Sequence, residues 1–202
     1  MKTRILTTSL LAVFSLFISC KNETGEKLDD QAPAIQIKGQ TEVAKKAKPT
    51  VEELNNLMTR VMVTPELRKF TSASIVSGVA DYLKNEKGPI TIFAPSSEAF
   101  AALKKEDAAN LFNAANKETL KEVLENHMVS GKLNTVAITE NLRSGKEYKL
   151  PTLGGSEITF VKKGNDIHLI DALGNSAVLK KSDIIASNGM VHVVDAVLGN
   201  AR

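Results

Sequence analysis

At about residue 145 the chain changes its periodicity, and that change narrows the architectures open to it. Before it, apolar residues recur at helical spacing. Thr50 and Glu53 form a T-x-x-E capping box ahead of Val51, Leu54, Leu57, Met58 and Val61. Thr64-Pro65 restarts a short helix, and Ile75, Val76, Val79 and Leu83 mark another that Gly88-Pro89 stops. Residues 90–94 read as a short apolar strand closed by Pro95, after which Ser96 or Ser97 caps a helix carrying Ala99, Phe100 and Leu103, with a small helix around 106–113. Leu120, Val123, Leu124, His127 and Met128 make one continuous stripe, which predicts a helix over 117–129 ended by Gly131. Beyond residue 145, segments 146–150, 157–162, 166–171, 177–180 and 190–198 read as strands separated by glycine-containing turns. Helices first and strands later predict an α+β fold around an antiparallel sheet system. No internal repeat is visible, so one domain is expected over residues 50–200.

The segment ahead of that domain has a different chemistry. Lys2 and Arg4 precede a mostly apolar run of 14 residues, Ile5 to Ile18. A helix needs roughly 20 residues to cross a hydrocarbon core of about 30 Å. The run therefore fits the apolar region of a secretory signal. The only cysteine of the chain, Cys20, stands at its end. Phe17-Ile18-Ser19-Cys20 resembles a bacterial lipobox, with Phe17 in place of the commoner Leu. That resemblance implies cleavage after residue 19 and acylation of Cys20, because stable anchoring takes more than one acyl chain. The residue after Cys20 is Lys21 rather than Asp, which implies the outer membrane, facing either the surface or the periplasm. Lys21-Asn22-Glu23 is similar to the Lys-plus-acid signal that sends some Bacteroidota lipoproteins to the surface. Residues 20–49 lack aromatics and mix their charges, which predicts a disordered tether.

Charge excludes one large class of partner. The chain has 26 Lys+Arg against 23 Asp+Glu, but residues 51–202 hold 18 basic and 18 acidic side chains. A formally neutral domain has no global field to gather phosphate polymers, and no zinc-finger or aromatic-basic motif is present, so no nucleic-acid partner is expected. A single cysteine also excludes an internal disulfide framework.

Three segments then carry a family resemblance. Residues 88–103, GPITIFAPSSEAFAAL, resemble the first signature of the fasciclin domain, T-x-F-A-P-[ST]-x-x-A-F, with Thr91, Phe93, Ala94, Pro95, Ala99 and Phe100 in the matching places. Residues 120–133, LKEVLENHMVSGKL, resemble its central helix, with His127 and Gly131. Residues 182–198, SDIIASNGMVHVVDAVL, resemble its last signature, with Asn188, Gly189, His192 and Asp195. The resemblance implies a wedge-shaped antiparallel β-sandwich with several packed helices. Read physically, these residues specify architecture: a strand, a capped helix and a tight Asn-Gly turn before a second strand.

The resemblance also implies where adhesion could reside. Asp183-Ile184 matches an adhesive segment of animal relatives. Asn126-His127 matches a Tyr-His adhesive pair, with Asn126 in place of the tyrosine. On the stripe of a helix, His127 more simply reads as a buried histidine, and Asp183 as a turn-bonding carboxylate. His168 and Asp171 fall on opposite strand faces, so no metal site is expected. No GxSxG elbow, P-loop, dinucleotide fingerprint or free cysteine nucleophile is present, so neither catalysis nor a cofactor is expected. The expected function is a lipid-anchored envelope protein that binds cells, matrix or polysaccharide. The alternatives are a periplasmic structural or partner-binding lipoprotein, and a protein that processes small molecules or glycans.

Overall fold

The computed structural model describes residues 50–143 and 145–199. The apolar run, Cys20 and the tether lie outside the described residues. Seven α-helices are described: α1 Leu57–Val63, α2 Arg68–Ser77, α3 Val79–Asn85, α4 Ser97–Ala101, α5 Lys105–Leu111, α6 Lys117–Glu125 and α7 Thr135–Leu142. The strands are β1 Ile90–Pro95, β2 Met128–Ser130, β3 Tyr148–Pro151, β4 Glu157–Lys163, β5 Asp166–Asp171, β6 Ser176–Ala186 and β7 Gly189–Val194. They form one seven-stranded sheet in the order β2-β1-β7-β6-β5-β4-β3.

Local chemistry sets several helix boundaries. The capping box forms, with Thr50 N donating to Glu53 Oε2 at 2.7 Å and Glu53 N donating to Thr50 Oγ1 at 3.2 Å. It opens only a single 3₁₀ turn, Glu53–Asn55. Asn56 then caps α1 afresh by accepting from Thr59 N at 2.9 Å. This break leaves Val51 and Leu54 on the surface, off the stripe expected for them. A second correction concerns α2. Its buried face is Phe70, Ala73, Ser74 and Ser77, while Ile75 and Val76 are exposed. Ser74 can be buried because its hydroxyl donates to the Phe70 carbonyl at 2.9 Å, four residues back. Gly78, at φ +81°, separates α2 from α3.

The predicted helix over 117–129 ends at Glu125. His127 lies just past it, and Met128–Ser130 is a strand pairing antiparallel with β1. Both readings place Met128 in the core, but Gly131 ends a strand and not a helix. The 190–198 segment is strand only to Val194, and the 177–180 segment is longer than expected, running from Ser176 to Ala186.

One pairing departs from an antiparallel arrangement. β1 and β7 run parallel, with Ile90 opposite Gly189 and Pro95 opposite Val194. Every residue of both strands is buried. Ile90, Ile92, Ala94, Val191 and Val193 face a core shared with the helices. Phe93 and Val194 face a second core built with β4, β5 and α7. Phe93 of β1 and Phe160 of β4 lie four strands apart in the sheet, yet their ring centroids are 5.2 Å apart. The sheet therefore curls over its second core, and the two edges meet at a Val129–Thr152 bridge. The bend passes through β6, whose register shifts on either side of Lys181 and whose Asp183 adopts φ +60°.

Gly189 of β7 lies opposite Ile90 of β1. A Cβ there would overlap the Ile90 carbonyl oxygen and approach Leu57 Cδ1 to 2.9 Å. The need is for space, because its φ lies outside the left-handed region. Gly164, at φ +63° with open space around it, needs conformation instead. Gly189→Ala is expected to destabilise the domain by about 3 kcal/mol or more, and Gly164→Ala by only about 1 kcal/mol. Urea unfolding of the two variants checks this ranking.

Candidate functional site

The residues singled out in the sequence converge on two polar junctions. At the first, Thr91 of β1 donates its hydroxyl to the Gly131 carbonyl at 2.7 Å and accepts from Leu133 N at 2.9 Å. His192 of β7 bonds the Leu133 carbonyl through Nε2 at 2.8 Å. Its Nδ1 accepts from Asp183 N at 3.2 Å, which makes the Nε2–H tautomer the consistent one. The imidazole also stacks on Phe93, with centroids 5.2 Å apart and planes at 13°. The Asp183 carboxylate accepts from both Thr135 N, at 2.9 Å, and the Thr135 hydroxyl. Thr91, His192 and Asp183 thus fasten the 131–135 loop and the start of α7 to three neighbouring strands.

At the second junction, His127 is fully buried. Its Nδ1 donates to the Val123 carbonyl at 2.8 Å, and its Nε2 accepts from Leu198 N at 2.9 Å. Asn126 accepts from the Thr152 hydroxyl at 2.8 Å, and Gly154 packs so closely on its amide that a Cβ there would overlap it. Asp171 accepts from Leu173 N, Asn175 N and Gly199 N at 2.9, 2.8 and 2.6 Å. The end of α6, the turn after β5 and the segment 195–199 are therefore bound to one another.

The other signature residues are structural in the same sense. Ser96 caps α4 by accepting from Ala99 N at 3.1 Å, and Ala99 and Phe100 are buried. Asn188 accepts from Leu57 N at 2.8 Å and donates to the Leu83 and Glu86 carbonyls, both at 3.0 Å, joining the β6–β7 turn to α1 and α3. Asp195 is exposed, accepts from Val178 N at 2.6 Å and pairs with Lys180 at 3.1 Å.

Of the adhesion residues, Asn126 and His127 sit in the interior. Asp183 and Ile184 are half-buried, the carboxylate engaged by Thr135 and the isoleucine packed on the helix-side core. The exposed apolar residue of that stretch is its neighbour, Ile185, at 58% exposure. Cys20 lies outside the described residues.

A family model of the fasciclin domain matches residues 65–200. The chain belongs to the fasciclin domain family. Protein sll1483 of Synechocystis is 29% identical over 168 residues, which is 82% of this chain and 87% of that protein. Human periostin is 33% identical over 116 residues, 57% of this chain and 13% of periostin. The structure of a FAS1 domain pair from the insect cell adhesion molecule Fasciclin I superposes with a TM-score of 0.64 at 18% identity, covering 71% of this chain and 50% of that one. The fold is shared with that structure, and the chain spans about half of it.

Two residues of this fasciclin domain escaped the sequence reading. Asp171 carries a local signal, because Asp171-Ala-Leu-Gly174 has the spacing of an Asx turn. Thr135 had no signal of its own, because its partner Asp183 is 48 residues away. Among the described residues, no group of three or more His, Cys, Asp and Glu side chains is placed to hold a metal ion.

Burial pushes both junction histidines below the usual imidazole range. For His127, burial outweighs the Val123 hydrogen bond and the Asp171 charge, and the pKa falls to about 4. For His192, burial likewise outweighs the Leu133 carbonyl and Asp183. The unfolded chain takes up these protons at higher pH than the folded one. Stability from His127 is therefore complete above pH 6.5 and is lost as pH falls from 6.5 toward about 4. The loss attributable to His127 is expected to reach about 3 kcal/mol at the acid end. Thermal melts across pH 4–7 check this, and His127→Gln is expected to flatten part of the slope.

Proposed function

We propose that this chain is a lipid-anchored cell-envelope protein whose fasciclin domain acts by binding, holding the cell to other cells, to matrix or to polysaccharide. The observation that carries the reading is the family match over residues 65–200, joined to a structural likeness to an insect cell adhesion molecule. The hydrogen-bonding pattern supports it. The polar signature residues are spent on backbone carbonyls and amides of the fold, which suits a rigid scaffold presenting its surface. The sequence ahead of the domain supplies the rest, with Cys20 as the lipidation point, residues 20–49 as the tether and the outer membrane as the site. Many weakly binding copies on one cell would add through avidity.

Among the described residues no helix is long and apolar enough to cross a membrane. On this reading, anchoring depends on the acylated Cys20. Cys20→Ala is expected to move the protein from the membrane to the soluble fraction and to abolish lipid labelling. Unchanged fractionation would remove the anchor from the proposal. For binding, the full chain on beads is expected to retain intact cells or envelope polysaccharide above a bead control. Protease shaving of intact cells should also cleave the domain. Failure to retain any partner, or full protection from protease, would favour a periplasmic structural role.

A further inference from the structure

His192 ties β7 to the bend of β6 and to the 131–135 loop, and it uses both ring nitrogens to do so. Nδ1 accepts from Asp183 N at 3.2 Å, and Nε2 donates to the Leu133 carbonyl at 2.8 Å. A proton on Nδ1 would meet the Asp183 N–H donor to donor, and that amide would lose its acceptor. The ring is buried and stacked on Phe93, so it cannot swing to water without parting from β1.

The backbone held by this bond has an uncommon shape. Asp183, at φ +60°, is the only residue other than glycine with a positive φ among the described residues. Its N–H is held by His192 and its carboxylate by Thr135. Leu133 and Thr135 belong to the same loop and helix start, so the bend and the loop share one fastening. The helix-side core contains neither Leu133 nor any residue of α7, and it does not depend on that fastening.

Few charges surround the ring. Asp183 is the carboxylate that faces it. On β6, Lys180 pairs with Asp195 at 3.1 Å and Lys181 with Glu66 at 3.0 Å. Lys132 on the loop and Glu140 on α7 are exposed, and β1 and the rest of β7 carry no titratable side chain.

We propose that His192 is an acid-sensitive latch, which when neutral fastens the β6 bend and the 131–135 loop and when protonated releases both while the helix-side core stays folded. Burial holds the latched imidazole below its usual range, outweighing the Leu133 carbonyl and Asp183, so the opened form takes up the proton first. Latching is therefore complete above pH 6.5 and weakens as pH falls below it.

The test follows single amides of the full-length chain by NMR hydrogen exchange from pH 7 to pH 5, corrected for the intrinsic pH dependence of exchange. Protection at Leu133, Thr135 and Asp183 is expected to fall about tenfold over that range, while Phe93 and Leu124 keep theirs. The ring nitrogens of His192 are expected to show the Nε2–H tautomer at pH 7. His192→Gln supplies a donor and an acceptor that do not titrate, and it is expected to abolish the response at the three amides. His127→Gln alters the other junction, at Leu198, and is expected to leave that response in place. Unchanged protection at pH 5, an equal fall at Phe93 and Leu124, or a response that survives in His192→Gln would overturn the proposal. So would an Nδ1–H tautomer or a response lost in His127→Gln, and these two readouts decide the matter should His192→Gln fail to fold.

Discussion

The parallel contact between β1 and β7 is the constraint on which the rest of this domain depends. These two strands are buried on both faces, so each supplies side chains to both cores at once. Their close approach is possible because Gly189 leaves room for the Ile90 carbonyl, and it is locked by Ile90 N donating to the Asn188 carbonyl at 3.2 Å. Asn188 then uses its side chain to hold α1 and α3. One turn, Ser187-Asn188-Gly189, thereby connects the last hairpin, the first helices and the central strand pair.

The second consequence of a doubly buried pair is that polar groups along it must be matched. Thr91 and His192 lie on the face toward the second core, and both are satisfied by the 131–133 loop. An unmatched polar group there would cost about 1–3 kcal/mol. The bend of β6 at Asp183 belongs to the same solution: the backbone turns so that its N–H reaches His192 and its carboxylate reaches Thr135. Thr91, His192 and Asp183 are the fastenings of a loop and a helix. Ile185, by contrast, is exposed on the surface beside this bend.

Much of this was legible from local chemistry. Thr50 and Glu53, Pro65, Ser96 and the Asn188-Gly189 turn each act where their residue types predict, because caps and turns depend on a few neighbours in sequence. The stripe Leu120, Val123 and Leu124 is buried as its spacing requires. The failures share a cause. Met128 continues the helical spacing but joins a strand, because its pairing partner Ile92 lies on a distant segment that needed an edge. Ile75 and Val76 are more apolar than Ser74 and Ser77, yet the serines are buried, because their hydroxyls bond the preceding helical turn.

What the amino-acid sequence determined by itself is the class of the domain, its order of helices before strands, its turns and caps, and its neutrality, since these follow from periodicity, composition and short-range hydrogen bonding. The tertiary structure alone decided that the first and last strands run side by side in parallel, that Phe93 meets Phe160 across a curled sheet, and that Asp183 finds Thr135. Each of these joins residues tens of positions apart, where no local preference acts and only the burial of two shared cores and the pairing of buried polar groups select the partner.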